Sequence, residues 1–306
     1  MSKTTARKKN LSNRVNKNIF VAVMLLIPIA HFAVFYVGVN FNSFFMAFQK
    51  LDPGTGKMVF TFENFKEIFR LFGKYGELTV SLTNTFLTSG FLILFLLPWG
   101  FLAAYFLHKK VPLGGFWRTM LFLPTIIPAI AMTSIFIYLI HPDGPVGKLW
   151  ELFGSQIPAL LVDKQYAKWT VILFIFWTNF GGQFLLFSGA MSRLPKEVLE
   201  SARVDGAGMR VELLRIILPL CWPTISMLLL INIAGILTAT GPLLLLTKGG
   251  AFTKTMSYWI FERVYDGSPK VVNEAAAIGL IGTAVVFPTV MLARRVLSKV
   301  YADVDF

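Results

Sequence analysis

Six apolar stretches, each close to the length of a bilayer crossing, organise the chain: residues 19–39, 82–107, 119–140, 169–191, 224–246 and 275–293. About 20 residues in helical form cover roughly 30 Å of hydrocarbon. None of the six contains Asp, Glu, Lys or Arg. One such charge at the bilayer centre costs roughly 2.5–3.5 kcal/mol on the insertion scale, so membrane helices are expected to be empty of them. The pattern predicts an all-α, polytopic membrane protein of six transmembrane helices over 19–293, between a basic tail 1–18 and a second tail 294–306. Pro28, Pro98, Pro124, Pro128 and Pro288 interrupt the spans, and each removes a helical hydrogen bond and bends the axis. The connections 40–81, 141–168 and 247–274 are long enough for short helices. They are rich in Phe, Tyr and Trp, as a membrane interface requires.

Composition agrees: 55% of residues are hydrophobic and 15% charged, whereas a soluble domain carries about a quarter charged residues. The net charge of +13 raises the question of nucleic acid, but Lys and Arg sit between apolar runs rather than on a polar face, so no nucleic-acid partner is expected. They serve orientation. Of the 29 basic residues, 17 fall on one side: Lys3, Arg7, Lys8, Lys9, Arg14 and Lys17, then Lys109, Lys110 and Arg118, then Arg193, Lys196, Arg203, Arg210 and Arg215, then Arg294, Arg295 and Lys299. The positive-inside rule puts that side, with both termini, in the cytoplasm. The first apolar run is longer than a signal-peptide core and leads into further spans, so it reads as an uncleaved helix.

Catalytic chemistry is not legible. There is no nucleophile elbow, metal-binding motif or cysteine framework, and Cys221 is a lone apolar filler. His31 is the one ionisable side chain within a span and reads as a packing residue. With no carboxylate in the spans, proton coupling is disfavoured. No phosphate-cradling loop is present, so any nucleotide energy must enter through another polypeptide.

The connection 192–222 carries the one sharp motif: Leu194-Pro195-Lys196-Glu197-Val198-Leu199-Glu200-Ser201-Ala202-Arg203-Val204-Asp205-Gly206-Ala207-Gly208, running on to Ile216-Ile217-Leu218-Pro219. Pro195 suits a helix start and the two glutamates its positive dipole end. Gly206-Ala207-Gly208 is a helix stop, and a second short helix follows, ended by Pro219. Ala202 and Gly206, four residues apart, give the first helix a nearly bare face suited to docking in a partner's groove. Its acidic residues and lack of bulky aromatics argue against a helix lying on the bilayer. Glu212 lies one turn past the stop, and Glu212→Lys is expected to be milder there than Gly206→Asp or Glu200→Lys within the motif.

This segment resembles the cytoplasmic signature of the permease subunits of bacterial binding-protein-dependent ABC importers. Glu200, Ala202, Gly206, Ile216, Leu218 and Pro219 match at the family's spacing, with Ser201 in place of an alanine. Leu194-Pro195-Lys196-Glu197, Asp205-Gly206-Ala207-Gly208, Arg118-Thr119-Met120-Leu121-Phe122-Leu123-Pro124, Leu246-Thr247-Lys248-Gly249-Gly250 and Glu274-Ala275-Ala276-Ala277 resemble the sugar (maltose-type) branch. Two positions depart from it: Ala251 stands where the family commonly has Pro, and Asn273-Glu274 where it often has Gly-Tyr.

The resemblance implies a type I importer permease fold and a non-catalytic chain. It implies as partners a homologous second permease, two ATP-binding subunits holding ATP and magnesium, and an external or periplasmic solute-binding protein. No cofactor or metal would be bound by this chain. Residues Glu200, Ser201, Ala202, Asp205, Gly206, Ala207, Gly208 and Pro219 would form the ATPase-coupling site, with 200–208 as the coupling helix. Sugar contacts would come from the spans flanking the signature, where the polar residues are Thr178, Asn179, Gln183, Asn232, Thr238 and Thr240; hydrogen bonds between helices would explain them equally well. Spans without fixed charge favour a neutral ligand such as an oligosaccharide. The rival readings are an ATP-independent secondary carrier or channel for a neutral solute, for which matching inverted halves are not evident, and an intramembrane enzyme, which lacks catalytic groups.

Overall fold

The computed structural model describes residues 2–74, 76–109, 111–238 and 242–300, with side-chain surroundings from Lys17 onward except at Gly73 and Lys74. Thr240, Lys110, residues 301–306 and the side chains of Lys3, Arg7, Lys8, Lys9 and Arg14 lie outside this description. In chain order the helices are α1 (Lys17–Ala47), α2 (Glu63–Lys74), α3 (Glu77–His108), α4 (Gly114–Ile126), α5 (Ala129–Ile140), α6 (Pro145–Glu151), α7 (Ala167–Met191), α8 (Lys196–Val204), α9 (Met209–Leu220), α10 (Trp222–Ala234), α11 (Leu243–Leu246), α12 (Met256–Asp266) and α13 (Pro269–Val300). Helices α1, α3, α7 and α13 are each long and apolar enough to cross a membrane. Two bent pairs complete the set: α4 with the helix over Ala129–Glu151, bent by 108°, and α9 with α10, bent by 67°. Counting each pair as one span gives the six that the hydrophobic pattern demands.

The prolines act in three different ways. Ile127 precedes Pro128 and is extended, with φ −67° and ψ 133°, the conformation toward which a proline ring biases the residue before it; the third span breaks there. Pro98 and Pro219 instead follow π-helical stretches, Leu92–Leu96 and Glu212–Ile217. Each ring would strike the carbonyl four residues earlier, at Leu94 or Arg215, and the wider π turn relieves that contact. Pro28 and Pro288 lie inside continuous helices.

Two elements differ from the sequence pattern. The stretch 224–246 is not one helix: α10 ends at Gly235, a turn follows to Thr238, and α11 starts after Pro242. Helix-terminating glycine and proline override the apolar run, and the helical length lies instead over α9 and α10. Residues 40–81 also hold a two-stranded antiparallel hairpin, β1 (Gln49–Leu51) and β2 (Met58–Phe60), with Gln49 opposite Phe60 and Leu51 opposite Met58. Asp52 closes its turn by accepting from the Gly54 amide and the Thr55 hydroxyl.

The chain divides into two compact units, one of Met1–Ile68 with Asp266–Leu280, the other of Phe69–Tyr265 with Ile281–Phe306. In the first, the buried Asn64 amide donates to the Ala47 and Gln49 carbonyls, and Asn273 donates to Gln49 as well. Lys50 pairs with Glu63. In the second, two apolar cores form. One joins Phe101 and Tyr105 of α3, Phe187 and Met191 of α7, Leu199 of α8, Ile217 of α9, Cys221 and Leu228. The other joins Met132 and Phe136 of α5, Phe174 of α7, Leu243 and Leu246 of α11 and Tyr258 of α12.

Helices α4 and α7 approach closely at Gly181, where a Cβ would lie 2.7 Å from the Leu121 carbonyl oxygen and 2.9 Å from the Phe122 Cα. Small residues permit such backbone contact between membrane helices.

Candidate coupling surface and transport cavity

Helix α8 is shaped by local chemistry. Pro195 is extended at its N-terminal boundary, Glu197 sits in the first turn and Arg203 in the last, each favourable to the helix dipole. At the other end Ala207 N–H donates to the Ala202 carbonyl and Gly206 N–H to the Arg203 carbonyl. Gly206 has φ +74°. This double bond with a left-handed residue is the Schellman arrangement, which glycine adopts at no steric cost. No atom lies within 4 Å of a Cβ built on Gly206, so its requirement within the chain is conformational rather than steric.

Glu200, Ser201, Val204, Asp205 and Gly206 are exposed, Val204 to 88%. Together with Glu197 and Arg203 they form the outward face of α8. Ala202 is turned the other way: it and Leu199 are buried, and Leu199 belongs to the core shared by α3 and α7. Of the small pair expected to dock on a partner, Ala202 is thus buried within the chain while Gly206 stays exposed, and the free surface of α8 mixes Glu197, Glu200 and Asp205 with Lys196, Arg203, Val198 and Val204. Ala207 is half-buried and Gly208 exposed as the chain turns into α9; Pro219, half-buried, precedes the bend at Cys221.

Glu212, where lysine is expected to act more mildly than in the motif, is a buried and paired site, which argues against that expectation. It is 3% exposed, and Lys109, just past the end of α3, pairs with its Oε2. Lysine at 212 would set two ammonium groups together in a buried place.

The polar residues of the spans separate into two groups. Thr178 and Asn179 line a cavity of about 780 Å³ at the break in the third span, bounded also by Pro124, Thr125, Pro128 and Pro242. Thr125 Oγ1 donates to the Thr178 carbonyl at 3.0 Å, tying α4 to α7 beside it. Thr125 did not stand out in the sequence, although its place between Pro124 and Pro128 marks irregular backbone. Gln183, Asn232 and Thr238 are not among the residues lining this cavity.

Most of these side chains bond within their own helix, not between helices. Thr178 donates to Phe174, Asn179 to Ile175 and Asn232 to Leu228, each four residues back, while Thr238 donates to Gly235. Asn179 spends one of its two amide N–H groups on this bond, and the residue is exposed where it lines the cavity. Gln183 Oε1 is buried with no partner among the described residues.

The connection after α11 is held rigidly. Lys248, Ala251 and Phe252 have φ of +49°, +50° and +58°, a conformation that side-chain-bearing residues rarely adopt. The Asn84 amide clamps the loop by donating to the Phe252 and Lys254 carbonyls at 2.6 and 2.8 Å. Lys254 bridges Glu77 and Glu262 at 2.8 and 2.7 Å. Partial burial pulls the Lys254 pKa down, but the bonds to Glu262 and Glu77 outweigh it and the net shift is upward. At Ala251 the left-handed backbone excludes the proline common in the sugar branch, since proline holds φ near −65°.

Comparison with known proteins agrees with this architecture. Residues 96–300 match the family described as binding-protein-dependent transport system inner membrane component. The probable ABC transporter permease protein YurN of Bacillus subtilis is 27% identical over 242 residues, covering 77% of this chain and 82% of that one. The sn-glycerol-3-phosphate transport system permease protein UgpA of Escherichia coli O157:H7 is 27% identical over 290 residues, covering 92% and 94%. In fold, the chain superposes with a TM-score of 0.82 at 23% identity on a chain of a bacterial ABC transporter involved in the import of the acidic polysaccharide alginate, covering 95% of this chain and 99% of that one. The fold is that of an ABC importer permease, multi-pass and helical, and with the family match spanning most of its length the chain belongs to the binding-protein-dependent transport system inner membrane components.

Proposed function

We propose that this chain is the permease half of an ATP-driven sugar importer and carries an oligosaccharide delivered by an external solute-binding protein. The observation that carries the reading is α8: a short helix at the family's signature position, stopped by a left-handed glycine and presenting the exposed face of Glu200, Val204 and Asp205 to a partner. The implied assembly has a homologous second permease and two ATP-binding subunits docked on the cytoplasmic side. ATP binding closes the ATPase dimer, α8 is carried with it, and the spans alternate between outward and inward openings. The segment 192–222 is then cytoplasmic and the loops 40–81, 141–168 and 247–274 external.

The cavity beside Thr125, Thr178 and Asn179 offers only neutral hydrogen-bonding groups, which suits sugar hydroxyls. The relatives named for glycerol phosphate and alginate carry anionic cargo. An anionic sugar here would have to place its charge against groups of the second permease.

Purification in mild detergent tests the class. An ATP-binding subunit is expected to co-purify, and its ATPase to rise when the loaded binding protein is added. A chain that transports in proteoliposomes with no such subunit would instead be a secondary carrier. Orientation is tested by a Cys221→Ala, Ser257→Cys variant, which an impermeant thiol reagent should label from outside; labelling only after the inner face is opened would overturn it.

A further inference from the structure

We infer that the ion pair between Lys109 and Glu212 is a positioning device that makes α3 follow the coupling segment, so that motion received by α8 reaches the second span. The inference rests on the coupling role proposed for α8.

The packing between α8, α9 and α3 is largely apolar, with Leu199, Ile217, Ala104 and Leu107 in one core and the Tyr105 hydroxyl and Arg203 within electrostatic reach of its edge. Apolar surfaces exclude water but are non-directional, and such surfaces can slide past one another by small steps. A charge pair whose carboxylate is buried resists such sliding. Glu212 has a side chain 4% exposed, and its Oε1 has no hydrogen-bond partner among the described residues. Lys109 is therefore its one polar partner there, and the Lys109 ammonium also lies 5.6 Å from the Tyr105 ring centroid. Separating the pair would leave a buried carboxylate uncompensated, an arrangement proteins strongly avoid. The pair joins residues 103 positions apart, one just past the end of α3, the other in the π-helical stretch that leads from the coupling helix to the bend at Cys221. Stretches of this kind occur frequently at functional sites. Displacing α9 thus displaces the end of α3 with it.

A buried ion pair replaced by well-packed apolar residues commonly keeps or gains stability, and that allows a positioning role to be told from a structural one. The test uses the complete transporter in nanodiscs, with amide hydrogen exchange followed before and after addition of magnesium ATP and vanadate. In the unsubstituted complex exchange should change both over 196–217 and over 100–109. Lys109→Gln and Glu212→Gln should confine the change to 196–217. Lys109→Met with Glu212→Leu should restore thermal stability yet leave 100–109 unresponsive, and its ATP consumed per sugar imported should rise about tenfold, within the usual range of coupling factors. The exchanged pair Lys109→Glu with Glu212→Lys should recover part of the response. Full transmission to 100–109 in the apolar variant would overturn the proposal while leaving the coupling role of α8 intact. Absence of any change over 196–217 in the unsubstituted complex would overturn both.

Discussion

Gly206 gives the sharpest test of the coupling helix, because its requirement can be worked out from backbone geometry alone. Its φ is +74° and no atom lies within 4 Å of a Cβ built there. A side chain therefore meets no obstacle within the chain and only the left-handed backbone penalises it, by roughly 1–2 kcal/mol for an L-residue. That lowers the population of the closed turn by about 5–30-fold. Asparagine visits this region more readily than other residues, and a β-branched side chain less. The expected order of coupling is Gly206 above Gly206→Asn, then Gly206→Ala, then Gly206→Val, even though asparagine is larger than alanine. The assay compares co-purification of the ATPase subunit with ATP hydrolysed per sugar imported, at matched membrane levels. Gly206→Asp should uncouple by a different route, through added charge on the free surface of α8. An asparagine variant weaker than the alanine variant would show that size at the docking surface, not backbone conformation, governs the site and would refute the argument.

At the α4–α7 crossing, Gly181→Ala should destabilise by about 1–3 kcal/mol, because backbone atoms of α4 cannot move aside; Gly182→Ala, whose nearest neighbour lies at 4.0 Å, should be nearly silent in the same thermal melt. Asn179→Leu should raise the sugar concentration for half-maximal uptake by roughly 2–10-fold, the worth of one hydrogen bond, with ATPase docking unchanged; an unaltered uptake curve would remove Asn179 from the pathway. From neutral pH up to the ordinary lysine pKa of 10.5, where both glutamates are ionised, the Lys254 bridge should hold its loop, and on the alkaline side it should be released only as pH rises through the raised folded value. Spin-label mobility at Ser257→Cys, in the Cys221→Ala background, reads that release, and an onset near neutral pH would contradict the ion-pair account.

The sequence by itself determined the features that depend on one residue and its near neighbours. Transfer of each apolar run into hydrocarbon needs no partner, so the membrane class and most of the spans were legible. So were the start and stop of α8, because the left-handed conformation of Gly206 is a local backbone requirement, and the break at Pro128, because a proline restricts the residue before it. Tertiary structure decided what depends on pairs of distant residues. Ala202 was recognisable as small, but only packing buried it beside Leu199 on the inner side of α8. Glu212 offered only its place one turn past the helix stop until the fold brought Lys109 to it. Thr125 gained its place beside Thr178 only when α4 and α7 closed at Gly181. The physical reason is the same in each case: burial and local conformation act residue by residue, whereas facing, ion pairing and cavity lining are set by which helices meet.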